Sequence, residues 1–164
     1  MDCRLRILSF AAILGGLLAL GCAAKPVEMD VVTYVNRDIL GQSVVESAAL
    51  RRYAAVTGTN YTSDDKLYDV LNHEVVPTYR EFVRIVEQVE PKTDEVKKLH
   101  AMYISASIYR LRGFETIMGG IQLQDPSLIE AANQMFAQSQ AETDRWRQTL
   151  EQLYLMYGIV PQDH

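Results

Sequence analysis

The chain is poor in the residues that build several common kinds of functional site. Its 164 residues include two cysteines, one tryptophan and three histidines. The sequence contains no Cys-x-x-Cys-His motif, which excludes covalent c-type haem. It has no Gly-x-Ser-x-Gly elbow and no glycine-rich phosphate loop, the motifs typical of serine hydrolases and nucleotide-binding proteins. We therefore predict a protein that is not an enzyme and carries no cofactor.

An excess of positive charge is also missing. The formal net charge is -5 at pH 7, with 16 basic and 21 acidic side chains. Nucleic-acid binding usually requires a basic face, so we predict no nucleic-acid partner. The apolar run from Ile7 to Leu20 is shorter than the roughly 20 residues that a transmembrane helix needs. Hydrophobic residues make up 48% of the sequence, which is enough for one packed domain.

The N-terminal segment has the layout of an export signal. Arg4 and Arg6 precede the apolar run, and small residues surround Cys22 at its end. This layout resembles the lipobox of bacterial lipoproteins. Gly21 fits that motif, whereas Ala19 and Leu20 stand in the reverse of the usual order. The resemblance implies that residues 1–21 are a signal peptide that is removed, and that Cys22 becomes a diacylglyceryl cysteine carrying chains such as palmitate.

The resemblance also implies a location. Two acyl chains anchor a protein stably to a lipid bilayer, whereas one chain binds reversibly. Ala23 follows the cysteine, and in Gram-negative bacteria that position favours the outer membrane, with the protein facing the periplasm. Two alternatives remain open at this point: an ordinary secretory signal cut near Ala23–Ala24, and a buried N-terminal helix weakened by Gly15–Gly16.

The remaining chain is helical in its pattern. Residues 22–27 are expected to form the acylated cysteine and a short linker, and residues 28–164 the domain. Apolar residues recur there at three- and four-residue steps, which is typical of amphipathic helices. Cap and turn residues divide the pattern into four segments of similar length. These are predicted as residues 28–56, a second helix capped by Ser63, a third capped by Thr93 and a fourth that begins at Asp125–Pro126 and ends at Gly158.

Short connections force consecutive helices to run antiparallel, so we predict an all-α fold, an up-down-up-down four-helix bundle. Pro77 lies inside the second helix and conflicts with the carbonyl of His73, so a kink or break is expected near His73–Glu74. Gly113 and Gly119–Gly120 lie in the third helix. They are compatible with a close approach of neighbouring helices or with fraying.

Metal ligation has little support. Ferritin-like bundles use Glu-x-x-His motifs, and this sequence has none. The nearest approach to a ligand set is Asp69 with His73 on the second helix, joined by His100 from the third. Asp69 and His73 are more simply explained as a surface pair, and methionines at helical spacing as core residues. We therefore predict no metal site.

Aromatic and basic residues offer a possible interaction patch. It combines Tyr109, Arg110 and Arg112 of the third helix with Arg145, Trp146 and Arg147 of the fourth. The nine tyrosines are expected mainly at the rim of the bundle, with their hydroxyls toward water. A buried carboxylate pair such as Glu46 with Glu115 is the other polar candidate. These observations favour a membrane-anchored module that binds an envelope protein; the alternative is a carrier with a ligand or metal site inside the bundle.

Overall fold

The computed structural model describes residues 20–160, with side chains from Lys25 onwards. Every regular element in that range is helical, and the range contains no strand. A short 3-10 turn, Gly58–Asn60, lies in the first connection. The all-α prediction is therefore confirmed. The chain forms four long helices: α1 (residues 20–54), α2 (residues 64–86), α3 (Asp94–Leu123) and α4 (Pro126–Tyr157).

The helices run up-down-up-down, as predicted. Met102 of α3 faces Thr149 of α4, and Thr116 faces Met135, so residue numbers rise along one helix as they fall along the other. The same relation holds between α1 and α2 and between α2 and α3. We call the end that holds the start of α1, the α2–α3 connection and the end of α4 the basal end.

An aromatic cluster joins the four helices at the centre of the core. Phe114 of α3 lies with its ring centroid 4.9 Å from that of Tyr53 on α1, 5.3 Å from Tyr79 on α2 and 5.3 Å from Phe136 on α4. The rings are tilted or edge-on to one another, which is the favourable arrangement for aromatic pairs. Burying these large side chains supplies much of the hydrophobic stabilisation of the bundle.

The predicted helix ends are largely confirmed. Ser63 accepts a hydrogen bond from the Lys66 N–H at 3.2 Å, and Asp125 accepts one from the Ser127 N–H at 2.9 Å. Gly158 ends α4 in the left-handed conformation, with φ of 65°. The predicted Thr93 cap is different: Thr93 occupies the capping position, but its hydroxyl donates to Asp30 of α1 at 2.8 Å instead of capping α3.

Two π-helical segments interrupt the α-helical hydrogen bonding. The first, Tyr34–Ile39, lies in α1 between the α-helical parts Leu20–Thr33 and Leu40–Ala54. The second, Leu71–Val75, separates Asp64–Val70 from Val76–Val86 in α2. It immediately precedes Pro77, because a wider turn accommodates the ring that an α-helical turn would exclude. The expected kink or break at His73–Glu74 takes the form of this π-helical segment, and the helix continues through it without a break.

The start of α1 differs from the prediction. The helix begins at Leu20, so residues 22–27 are helical and do not form an extended linker. Val27 and Val31 are buried one turn apart, and this packing holds the segment in the helix. Pro26 lies inside it.

The two glycine positions in α3 are close-packing sites. A Cβ at Gly113 would lie 2.4 Å from Cε1 of Phe136, and one at Gly120 would lie 2.8 Å from Cδ1 of Ile129. Real Cβ atoms do not approach other atoms so closely, so only glycine fits here without rearrangement. Of the two readings of these glycines, the structure supports close helix approach.

Within residues 20–160, no helix is both long enough and apolar enough to cross a bilayer.

Candidate functional site

A carboxylate inside the bundle collects donors from two other helices. Glu46 of α1 accepts hydrogen bonds from the Tyr79 hydroxyl at 3.1 Å and from the Tyr103 hydroxyl at 3.2 Å. Arg110 donates to the same carboxylate through Nη1 at 2.9 Å. The Glu46 and Arg110 side chains are only 18% and 20% exposed, so this is a largely buried ion pair. Such a pair is maintained only where further hydrogen bonds satisfy it, as the two tyrosines do here.

Helical spacing explains how these side chains meet. Tyr103 and Arg110 are seven residues apart on α3, two turns along the same face. Tyr79 follows the π-helical segment and Pro77 of α2, and Glu46 follows the π-helical segment of α1. A π-helical turn holds extra chain, so it changes which residues face the interior downstream. Both interruptions therefore influence the direction of the side chains that form the cluster.

The tyrosine hydroxyls of the cluster remain protonated. Burial is the largest cause that raises the pKa of Tyr79, and the negative charge of Glu46 raises it further, although Arg110 acts in the opposite direction. Burial followed by the charge of Glu46 likewise raises the pKa of Tyr103. Both hydroxyls therefore serve as hydrogen-bond donors to the carboxylate throughout the physiological pH range.

The cluster borders a cavity of about 290 Å³, which we call the central cavity. Side chains from all four helices line it, and its mouth lies along α4, where Gln140 and Arg147 are exposed. The Trp146 ring forms part of its wall and lies 5.3 Å from the Tyr103 ring, centroid to centroid. The lining residues are Ile39, Glu46, Leu50, Tyr79, Tyr103, Ala106, Ser107, Arg110, Gln140, Thr143, Trp146 and Arg147.

A second hydrogen-bonded chain continues from Trp146 toward the basal end. Trp146 Nε1 donates to the Tyr34 hydroxyl at 3.3 Å, and that hydroxyl lies 3.3 Å from His100 Nδ1. Because Trp146 is a donor, the Tyr34 hydroxyl is free to donate its proton onward to an unprotonated Nδ1. The chain fixes the orientation of the Trp146 ring at the cavity wall.

Burial lowers the pKa of His100, which is only 4% exposed, and keeps it neutral at neutral pH. The Val86 carbonyl and the charge of Asp38 act in the opposite direction, and burial is the largest cause. The carbonyl lies near the ring, but among the described residues Nε2 has no hydrogen-bond partner of good geometry.

A third polar contact ties the basal end together. Asp30 of α1 is buried, and its Oδ2 accepts from the backbone N–H groups of Lys92 and Thr93 at 2.9 and 2.7 Å. The Thr93 hydroxyl adds a third donor. This contact holds the start of α1 against the α2–α3 connection. The role of Asp30 is therefore to join α1 to the α2–α3 connection.

Exposed apolar side chains are unevenly distributed. Met29 and Val32 of α1 and Leu155, Met156 and Val160 at the end of α4 belong to the basal end. Leu40 and Val44 are exposed further along α1, and Tyr61 and Leu123 lie at the opposite end. We call the first five residues the basal apolar surface.

The predicted metal candidates do not share a site. Asp69 and His73 form an exposed pair on α2, with His73 Nδ1 3.1 Å from Asp69 Oδ1, whereas His100 is buried beside Tyr34. Within the described residues, no group of three or more His, Cys, Asp or Glu side chains is arranged to hold a metal ion.

The predicted interaction patch is divided by the structure. Arg110, Trp146 and Arg147 line the central cavity, whereas Tyr109, Arg112 and Arg145 do not. Arg145, whose side chain is exposed, pairs instead with the less exposed Glu142. The side chain of Cys22, the predicted lipidation site, lies outside the residues whose side chains are described.

The candidate carboxylate pair does not form: Glu115 binds Arg80 at 2.6 Å, and Glu46 binds other partners. Three of the nine tyrosines, Tyr34, Tyr79 and Tyr103, depart from the expected rim position, because they are buried with inward hydroxyls. A buried carboxylate needs donors, so the combination of Glu46 with interior tyrosines is the signal that sequence reasoning missed.

Comparison with known proteins adds no relative: the chain matches no protein-family model, no curated protein and no solved structure.

Proposed function

We propose that this protein is a lipid-anchored helical lipoprotein of the cell envelope that serves as a protein-interaction or structural module. In this proposal residues 1–21 are removed, Cys22 carries the diacylglyceryl group, and the bundle faces the periplasm from the outer membrane. The charge, apolar run, small residues and cysteine of residues 4–22 support this location.

The observation that carries the proposal is the position of the basal apolar surface. Cys22 belongs to α1, and Met29 follows seven residues later, roughly 10 Å along a helix axis. A lipid attached at Cys22 therefore brings the basal end close to the bilayer. Exposed apolar residues are most favourably placed where a membrane interface removes them from water.

The interaction role rests on the outward face of α1. Leu40 and Val44 are exposed one helical turn apart on α1, and Met29 and Val32 are exposed on the same helix nearer the basal end. An amphipathic helix of an envelope protein, lying along α1, would cover these side chains. This geometry resembles known helix-in-groove recognition, in which a few apolar anchors at helical spacing supply most of the contact.

The location is tested by replacing Cys22. We expect the Cys22→Ala variant to lose the diacylglyceryl mass in mass spectrometry of the cell-envelope protein and to leave the membrane fraction. Cys3→Ala is the matched control, because it removes the other cysteine of the chain and leaves the lipobox intact. An unmodified Cys22 thiol in the native protein, or identical processing of the Cys22→Ala variant, contradicts the proposal.

The interaction role is tested by cross-linking in intact envelopes. We expect a defined cross-linked product with one envelope protein, reduced by the double substitution Leu40→Ser and Val44→Ser. Leu123→Ser is the control, because Leu123 is also apolar and exposed but lies at the opposite end of the bundle. If the product is unchanged in the double variant, α1 is not the interacting face.

A further inference from the structure

The size and position of the central cavity suit a small organic molecule. Its volume of about 290 Å³ is at the lower end of ligand pockets, which span roughly 300 to 1,000 Å³. Exposed Gln140 and Arg147 border its mouth, so the cavity is reached from solvent along α4. Polar groups at one side and aromatic rings at the other are the usual composition of a pocket that orients its ligand.

The charges around the cavity select an anion. Its charged lining residues are Glu46, Arg110 and Arg147. Glu46 already accepts three hydrogen bonds, and the adjacent Arg110 would repel a cation that approached it. The guanidinium of Arg110 has five N–H donors and directs only part of them to Glu46 and Tyr79. It therefore retains donors for a ligand.

Arg147 can bind a ligand with little loss of folding stability. Its partner is Asp144, 3.3 Å away on the surface, and the Arg147 side chain is 61% exposed. Exposed ion pairs of this kind contribute little to stability, so a ligand carboxylate can replace Asp144 without destabilising the fold. Gln140 donates to Asp144 at 2.9 Å and holds that carboxylate in place on α4.

The aromatic wall selects a flat molecule. Trp146 is fixed from behind by its hydrogen bond to Tyr34, and its ring packs against Tyr103. A ring that is already held in position loses little conformational freedom when a second ring stacks on it. Ala106 and Ser107, which are small, leave the space in front of these rings open.

We propose that the central cavity binds a small carboxylate with a flat apolar body, which lies against Trp146 while Arg110 and Arg147 hold its charged group. This inference goes beyond the membrane-anchored role and holds whether or not Cys22 is acylated.

The single tryptophan gives the experiment a specific reporter. Trp146 is the only tryptophan in the chain, so its fluorescence and its indole N–H resonance report on this cavity alone. Benzoate is the probe, and benzamide is its uncharged counterpart of the same shape. Both are titrated into the purified full chain at constant ionic strength. We expect benzoate to produce a saturable change in both signals and benzamide to bind at least about tenfold more weakly, because it lacks the charge-assisted hydrogen bonds.

Two variants separate the site from a general charge effect. Arg147→Gln removes a cavity cation, and Arg145→Gln removes a cation of α4 that lies outside the cavity and pairs with Glu142. We expect Arg147→Gln to weaken benzoate binding at least about fivefold and Arg145→Gln to leave it within about twofold. Both residues are exposed, so the fold is expected to survive either change.

A third variant tests the cavity itself. Ala106→Leu places three further carbon atoms into the open space, and we expect it to abolish the benzoate response while circular dichroism still reports the helical fold. Three results overturn the proposal: no saturable response to millimolar benzoate, equal binding of benzamide, or equal effects of Arg147→Gln and Arg145→Gln. None of these results bears on whether Cys22 is acylated.

Discussion

On the α3–α4 side of the bundle, Gly113 and Gly120 lie directly against side chains of the facing helix. On the α1–α4 side, Glu46 and Trp146 border the central cavity. We call the first the closed side and the second the open side. Both α3 and α4 take part in each side, so the difference comes from the residues they present there: glycines on the closed side, and Tyr103, Arg110 and Trp146 on the open side.

One bundle thus combines close helix packing with an internal polar space. On the closed side, the absence of a Cβ lets two helices meet at van der Waals distance, and dispersion contacts are numerous. On the open side, the Glu46 carboxylate lies inside the fold, where Arg110 and two tyrosine hydroxyls satisfy it with hydrogen bonds. The closed side contributes stability, and the open side contains a polar cavity.

The largest effect is expected from breaking the ion pair of the open side. Arg110→Met removes the cation and leaves the Glu46 carboxylate largely buried with only tyrosine donors. Removing one member of a buried pair costs about 3 kcal/mol, so we expect a loss of that order in the free energy of unfolding. Urea denaturation followed by circular dichroism measures it.

Two variants show whether the charge is responsible. Glu46→Gln combined with Arg110→Met keeps an acceptor for the tyrosines but removes the unpaired charge, and should recover at least half of the lost stability. Arg84→Met breaks an exposed pair with Glu81 and should cost much less stability than Arg110→Met. If Arg110→Met costs no more than Arg84→Met, Glu46 is hydrated through the cavity and the open side is not held by this pair.

The fold was predictable because its determinants are local. The side-chain caps at Ser63 and Asp125 and the terminal Gly158 act within a few residues of sequence, and apolar periodicity acts within one helix. Pro77 likewise predicts an irregularity in the α-helical hydrogen bonding just before it. Thr93 shows the limit of this reasoning, because its hydroxyl serves Asp30, which is 63 residues away in the chain.

The open side was not predictable from the same patterns. Glu46 looks like a surface carboxylate, and what buries it is the simultaneous arrival of donors from α2 and α3. A regular α-helical spacing also predicts the wrong inward-facing residues after the segments Tyr34–Ile39 and Leu71–Val75. Each π-helical turn changes the direction of the side chains that follow it. Of the predicted patch, Arg110, Trp146 and Arg147 reach one site only because α3 and α4 place them around the same cavity.

A smaller effect is expected on the closed side. Gly113→Ala adds a Cβ that meets the Phe136 ring, and overpacking typically costs about 1–3 kcal/mol, whereas alanine gains up to about 1 kcal/mol in helix propensity. We expect a net destabilisation of about 1 kcal/mol. Gly41→Ala is the matched control, because a Cβ there meets nothing within 4 Å, and it should stabilise the protein. Equal effects at the two positions would mean that α3 and α4 are not in close contact at Gly113.

The smallest effect concerns His100, whose contact with Tyr34 supports the Trp146 wall of the open side. Burial lowers the pKa of His100 in the native protein, whereas the unfolded chain has an ordinary histidine pKa near 6.5. Protonation therefore favours the unfolded state. The stabilisation is fully present above about pH 6.5 and is lost as the pH falls from there toward the native pKa, at no more than about 1.4 kcal/mol per pH unit for one proton.

Unfolding free energies between about pH 7.5 and pH 5.5 isolate this contribution, because most carboxylates titrate at lower pH. We expect the stability of the unsubstituted chain to fall across that interval and the fall to be smaller in His100→Gln. His73→Gln is the control, since it removes an exposed histidine and leaves the Trp146–Tyr34–His100 chain intact. If His73→Gln flattens the profile as much as His100→Gln does, the buried imidazole does not couple pH to the open side. The orientation of Trp146 is then maintained by Tyr34 and Tyr103 alone.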